Sequence, residues 1–379
     1  MKKLGLYIHF PFCKRKCNYC DFYSCTSVQK AKEYIDSICN QLKIEAPLYK
    51  DYIFDTVFIG GGTPSLIEGE DFARLASVIK ENLNLTNDFE FSMEANPGTI
   101  TEKNLLAYKE SGVNRISIGL QSTNDSELQT LGRIHDYETF LENYNLVRKC
   151  GFINVNIDIM YSLPSQKTET FLDTLDKVIK LNPEHISAYC LKIEENTPFG
   201  KIKSTLRLPD EDEEYKTYIS MCEKLLKSGY LQYEISNFSK AGNECKHNLK
   251  YWQSEEYIGV GPSAHSYFNG ERYSYSSNLD EYISKIQSNE MPTKIFEKDD
   301  ETLVDMSKMD EYVMLKMRLS SGVSKDEFCL IFDKEFENTY PKINNYLKTE
   351  HVVFENGAYK FTPKGFFVSN YILSDILNF

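Results

Sequence analysis

The sequence predicts an α/β protein: a partial, open (β/α)6 barrel followed by a small C-terminal α+β domain of winged-helix type. Three observations predict it. Short runs rich in Ile, Val, Phe and Tyr alternate with amphipathic stretches, the alternation repeats six times, and it ends near residue 205 of 379. Such alternation selects a parallel sheet with right-handed crossovers. Six units with no seventh or eighth favour an open barrel over a closed one.

The expected strands are 4–10, 55–59, 89–95, 115–119, 154–160 and 185–191. The expected helices between them are 29–41, 72–81, 102–111, 137–150 and 168–180, each with apolar residues at three-to-four spacing. Residues 1–205 form this core. Residues 206–299 extend it, with a helix over 210–228 whose acidic first turn (DEDEE) suits the helix dipole. A tyrosine-rich segment ending in HNLKYW and a loop, GVGPSAHSY, follow. Residues 300–379 read as helices 310–319, 325–331 and 339–348, two strands about Asn356 and Gly357, and a last helix.

The net charge of −13 excludes a nucleic-acid partner held through phosphates. Residues 301–379 carry 12 acidic and 9 basic residues, so the winged-helix-like module reads as a protein-contacting lid, not a DNA reader. No uninterrupted apolar run reaches the roughly 18 residues that span a bilayer. The opening MKKLGLYIHFPFC starts like a signal peptide, but its apolar run is short and a cysteine-basic cluster follows at once. It is read as a strand, and the expected location is the cytoplasm.

Ligands of parallel α/β sheets gather at the carboxyl ends of strands. Here those ends read HFPFC, IGGGTP, EANPG, GLQ, DIMYSLP and LKIEENTP. Of ten cysteines, three crowd into CKRKCNYC as Cys13, Cys17 and Cys20, while the other seven stand alone. A cubane cluster holds four irons, so three thiolates leave one iron open to a small molecule with an amine and a carboxylate. Lys14, Arg15 and Lys16 favour the thiolate form. Two other readings stay open: a zinc site completed by His9 or Cys25, and a redox pair of Cys17 and Cys20. Glu94, Gln121 and Asp158 lie in or beside apolar strand runs, where burial without a partner costs about 1–3 kcal/mol each. Three such residues at strand ends point to a ligand; pairing among themselves is the structural alternative.

Tyr19 precedes the third cysteine, and GGGTP at 60–64 ends the second strand. With CxxxCxxC, these features resemble the radical S-adenosylmethionine superfamily. LYIHFPFC, GGGTP, EANPG, RISIGLQS, NIDIMYSLP, LNPEHIS, EYVMLKMRLSSGV and FTPKGFFVSN follow in order to the C-terminus. They are similar to the coproporphyrinogen III dehydrogenase-like branch. The resemblance implies a [4Fe–4S] cluster on Cys13, Cys17 and Cys20, and cleavage of S-adenosylmethionine to a 5′-deoxyadenosyl radical. It implies Tyr7 and Tyr19 against that cofactor, Gly61, Gly62 and Thr63 at its methionine end, and Glu94 on a ribose or amino group. The glycines would let the backbone approach the ligand. Gln121, Arg133 and Asp158 match positions that contact a second S-adenosylmethionine in the dehydrogenase.

Two features resemble the heme chaperones of this branch. Phe22 stands where the dehydrogenase has a fourth cysteine, and HNLKYW matches the chaperones' signature. The implied heme ligand is His247, with Trp252 stacking on the porphyrin, and Cys245 and His265 as secondary ligands. The implied function is to bind heme and pass it to apo-hemoproteins, membrane respiratory proteins among them, from the cytoplasm or the membrane periphery. The alternatives are oxidative decarboxylation of coproporphyrinogen III to protoporphyrinogen IX and, more remotely, radical methylation. No catalytic residue is assigned by the sequence.

Overall fold

Six parallel strands in sequential order form the centre of one twelve-stranded sheet in the computed structural model, which describes residues 1–297 and 307–377. They are β1 (Lys2–Phe10), β2 (Tyr52–Gly61), β3 (Leu85–Ala95), β4 (Arg115–Gln121), β5 (Val155–Tyr161) and β6 (His185–Cys190). The crossovers are the helices Ala31–Glu45, Gly69–Asn82, Glu102–Glu110, Tyr137–Lys149 and Thr168–Leu181. Every position of β4 is buried, as parallel strands covered on both faces require. The first four strands outgrow their expected bounds, β2 and β3 the most. β3 starts four residues early because Leu85 pairs with Phe54, and a register shift before Thr56 and Glu90 absorbs the polar stretch between.

The helix Asp125–Leu131 was not expected from the sequence. Its side-chain cap is Asn124, and it ends at Gly132 with φ 74. A left-handed residue there is the usual helix stop, and it turns the chain so that Arg133 faces the cluster loop.

The segment 206–299 widens the sheet at both edges. After the helix Glu211–Lys227 come β7 (Leu231–Gln232) and β8 (Asn237–Ser239), and β8 pairs antiparallel with β6. At the other edge β9 (Tyr257–Val260) runs parallel to β1, followed by antiparallel β10 (His265–Phe268), β11 (Glu271–Tyr275) and β12 (Lys294–Phe296). The sheet ends at β12 and β7 without closing, as six units predict.

The expected domain boundary at 299/300 lies outside the described residues. Beyond it, β13 (Val323–Ser324), β14 (Val352–Glu355) and β15 (Ala358–Phe361) make a second, antiparallel sheet. Asn356 (φ 51) and Gly357 (φ 76) both take positive φ, the two-residue turn that matches strand twist. The helix expected over 339–348 is two, Phe336–Thr339 and Ile343–Lys348, interrupted where Pro341 offers no N–H. This small domain packs on the extension: the Phe367 ring centre is 5.2 Å from that of Tyr215 and 5.7 Å from that of Tyr218.

Candidate functional site

A cavity of about 910 Å³ opens at the carboxyl ends of β1–β6, near the top of the roughly 300–1,000 Å³ range of ligand pockets. One wall is the cluster loop. Just past β1 the chain doubles back, and its neck is closed by backbone bonds from Cys13 N to Cys25 O (2.9 Å) and from Cys25 N to Pro11 O (2.7 Å). Cys13, Cys17 and Cys20 are half-buried and line the cavity. Thr63 Oγ1 donates to Cys13 Sγ at 3.5 Å, and Arg133 Nη1 to Cys17 Sγ at 3.6 Å. Burial pushes the Cys13 thiol up and the Cys20 thiol up to about 11, so a bound cation is needed to ionise them.

The donor set fits a cluster better than a single ion. Among the described residues no three His, Cys, Asp or Glu side chains could hold one metal ion. In a cubane each thiolate meets its own iron, so the sulfurs need not converge on one point. The zinc alternative also loses its fourth ligand. His9 Nε2 donates to Tyr23 O (2.8 Å), its Nδ1 accepts from Tyr7 OH (3.0 Å), and Cys25 sits in the loop's neck.

The opposite wall is polar. Gly61 N donates to Glu94 Oε2 at 3.0 Å. Burial, and then the charge of Asp158, push the Glu94 carboxyl up to about 8. Burial raises Asp158 as well, although it accepts from Ser117 Oγ (2.9 Å) and Asn156 Nδ2 (2.7 Å). These bonds run to Gly61, Ser117 and Asn156, so the two carboxyls are not satisfied by each other. Arg133 Nη2 donates to Asn96 Oδ1 (2.7 Å) and Gly119 O (2.6 Å), while its Nε is buried without a partner. Gln121, beside the register shift of β4, holds φ 72, a strained value for a side-chain-bearing residue. Tyr7, Tyr19, Gly61, Gly62, Thr63, Glu94, Gln121, Arg133 and Asp158 all line this one cavity with the three cysteines.

The glycines have a packing reason beside the expected one. A Cβ on Gly62 would meet Phe12 O at 2.7 Å and Phe10 O at 2.9 Å, and one on Gly61, which holds φ 112, would meet the His9 ring at 2.5 Å. Packing against the end of β1 already requires both glycines, whatever a ligand beside them adds.

A raised carboxyl carries a pH signature. Between about pH 4.5 and 8 the unfolded chain has released the Glu94 proton and the folded chain has not, so stability falls as pH rises through that window. The slope is at most about 1.4 kcal/mol per pH unit. Urea midpoints of the ligand-free protein should therefore drop from pH 5.5 to 8.5, and Glu94→Gln should flatten that part of the profile. An unchanged profile in the variant excludes Glu94 as its source.

HNLKYW makes up most of the helix Lys246–Trp252, which meets the cavity through Tyr251 and so forms its floor. His247 is fully buried, with Nδ1 bonded to Thr56 Oγ1 (2.8 Å) and Nε2 to Tyr251 OH (2.8 Å). Burial lowers its pKa to about 3. His247, the expected iron ligand, thus has both ring nitrogens engaged and is not among the residues that line the cavity. Trp252, expected to stack on the porphyrin, does not line the cavity either. It lies beside the buried Glu234 carboxyl, and Arg318 of the C-terminal domain lies over its ring at 5.8 Å. Cys245 is buried against Glu90. Tyr251 and His265 do line the cavity.

Sequence reasoning missed Glu90, which anchors this helix. Its Oε2 accepts from Lys246 N (2.9 Å), and its Oε1 from His247 N (3.3 Å), Cys245 Sγ (3.5 Å) and Ser92 Oγ (3.0 Å). Buried Arg115 faces the same carboxylate. The signal was there: Glu90, Ser92 and Glu94 recur at every second position of FEFSMEA, hence on one face of the strand.

Comparison with known proteins follows this geometry. The Radical SAM superfamily model matches residues 7–178, and the HemN C-terminal domain model matches residues 307–368. The chain is 38% identical over 327 residues to heme chaperone HemW of Buchnera aphidicola subsp. Schizaphis graminum, across 86% of this chain and 85% of the other. It is 32% identical over 377 residues to heme chaperone HemW of Bacillus subtilis, across 98% of each. Coproporphyrinogen III oxidase (HemN) from Escherichia coli superposes with a TM-score of 0.83 at 22% identity, over 99% of this chain and 90% of that one. That likeness establishes the fold.

Proposed function

The chain belongs to the heme chaperone HemW family of the radical S-adenosylmethionine superfamily, and on that premise we infer that it binds heme and delivers it to apo-hemoproteins. The observation that carries the reading is the cavity, which joins three cysteine thiols and a buried polar wall to an aromatic rim in one space.

In this reading Cys13, Cys17 and Cys20 hold a [4Fe–4S] cluster. Bound there, the cluster supplies one-electron reduction of the S-adenosylmethionine sulfonium. The chain's own residues prepare the place. Arg133 and Thr63 donate to two of the ligand sulfurs, which lowers the cost of burying their charge. Glu94, kept protonated at neutral pH by burial, has a carboxyl O–H to offer a ribose or carboxylate oxygen. Asp158 and Gln121 add polar contacts deeper in the wall, and Tyr7 and Tyr19 supply its aromatic faces. Acceptors include respiratory proteins at the membrane, met from the cytoplasmic side as a peripheral visitor. Among the described residues no helix is long and apolar enough to cross a membrane.

The test is made anaerobically with the cluster-reconstituted chain. Heme should bind, with a Soret band distinct from that of free heme, and should pass to an apo-hemoprotein without chemical change. Coproporphyrinogen III should not be turned over. Protoporphyrinogen formation, with no heme bound, would replace this reading with the dehydrogenase.

A further inference from the structure

We propose that heme docks in the outer, aromatic part of this cavity and that His265 gives its iron an axial imidazole. The proposal rests on the chaperone reading above and adds the site and the ligand.

The chain has six histidines. His9 and His247 have both ring nitrogens engaged. His185 is fully buried, bonded to Asn156 Oδ1 (2.6 Å) and Tyr233 OH (2.8 Å). His135 is buried off the cavity against Leu120 O, and His351 lies in the C-terminal domain beside Thr349. Among the described residues His265 alone joins a place on the cavity wall to an unbonded ring nitrogen; His135 Nδ1 is also unbonded but is buried off the cavity. His265 lines the cavity, its side chain is 62% exposed, and among the described residues its Nε2 has no hydrogen-bond partner.

A carboxylate stands near its other nitrogen without bonding it: Glu297 Oε1 lies 4.0 Å from His265 Nδ1, close enough to accept its N–H after a small side-chain rotation. Metal-ligating histidines commonly give the second N–H to a carboxylate, which fixes the tautomer and raises ligand basicity. The position is also firmly held. His265 opens β10, and the turn before it is set by Gly261 (φ 104) and Ser263 (φ 62), with Ser263 N bonded to Tyr275 O at 3.1 Å. A Cβ on Gly261 would meet His9 O at 2.9 Å, so this turn is pressed against the end of β1 beside the cluster loop.

The surroundings suit a porphyrin. Phe22, Tyr23 and Tyr257 line the same cavity, and Phe22 is 71% exposed, an aromatic face without cover. Arg15 and Lys16 on the cluster loop bring positive charge for two propionates. The rival ligands on the wall are poorer. Burial pushes the Cys190 thiol up to about 12, and Tyr251 is already bonded to His247. The dock lies beside the thiols and the polar wall, so heme and S-adenosylmethionine would be neighbours in one space.

The experiment is an anaerobic hemin titration of the full, cluster-reconstituted chain, as wild type, His265→Ala, Glu297→Gln and His247→Gln. His265→Ala should shift the Soret band and weaken binding more than about tenfold, and Glu297→Gln should weaken it by about tenfold. Added imidazole should restore the wild-type Soret position to His265→Ala. Iron content and iron–sulfur absorption should not change. His247→Gln should keep the wild-type Soret band. Wild-type spectrum and affinity in His265→Ala, or loss of the imidazole signature in folded His247→Gln, overturns the assignment while leaving the chaperone reading in place. A wild type that binds no heme overturns both.

Discussion

Replacing Cys13, Cys17 or Cys20 by alanine should leave a folded protein that has lost nearly all of its roughly four irons per chain. Each thiolate is the only protein ligand of its iron in a three-cysteine site, and the one other cysteine on the described cavity wall, Cys190, comes from the end of β6 and not from the cluster loop. Cys25 is the closest in sequence, but its backbone closes the loop's neck through Cys13 N and Pro11 O, and those bonds do not involve its side chain. Cys25→Ala should therefore keep a full cluster. The fold should survive each ligand substitution because the three side chains are half-buried at the cavity and none belongs to the apolar core. Iron and sulfide analysis after anaerobic reconstitution decides the point, with thermal unfolding as the control for folding. The wild-type cluster should also decay in air, since the fourth iron has no thiolate. A full cluster in Cys17→Ala would end the assignment.

The order of strands, the open sheet and the contents of the cavity wall were legible because they rest on local rules. CxxxCxxC and GGGTP sit at strand ends, where topology alone sends ligands, and nine of the polar, aromatic and glycine positions named from the sequence do face one space. What the sequence concealed is long-range. HNLKYW lies about 190 residues from Thr56, yet the two share a hydrogen bond inside the barrel. A histidine in a signature reads as a ligand until the groups opposite each nitrogen are known. The fate of Trp252 depends on Glu234 and Arg318, two elements whose meeting no periodicity predicts. A partial clue was present all the same. Barrel interiors are ordinarily filled by branched apolar side chains, whereas the inward positions here run Thr56, Glu90, Ser92, Arg115, Ser117, Asn156, His185 and Ser187, paired across neighbouring strands. Polar residues at period two through four successive strands demand a polar plug, and the Lys246–Trp252 helix is that plug.

Glu90→Ala should cost the most stability of any substitution considered, about 3–5 kcal/mol. The carboxylate is 6% exposed, and its oxygens accept from two backbone amides at the start of the Lys246–Trp252 helix, from the Cys245 thiol and from Ser92. Removing it leaves those donors unsatisfied under the barrel. It also removes one of the two carboxylates near Arg115, 2% exposed, which keeps Asp158, so the unsatisfied donors are the main part of the penalty. Glu90→Gln should fall between, because its amide oxygen still accepts while its NH2 group confronts the helix N–H groups. The damage should begin at the helix. Trp252, the only tryptophan, closes that helix and reports its seating through fluorescence. In urea, the Trp252 transition of Glu90→Ala should precede the loss of far-ultraviolet ellipticity, while the two coincide in the wild type. Tyr251 should shift with the helix, because its hydroxyl is held by His247 and its ring is part of the cavity. Ligand affinity should therefore weaken even below the first transition. Stability within about 0.5 kcal/mol of wild type, the range of an ordinary surface substitution, would show that Glu90 does not anchor the floor.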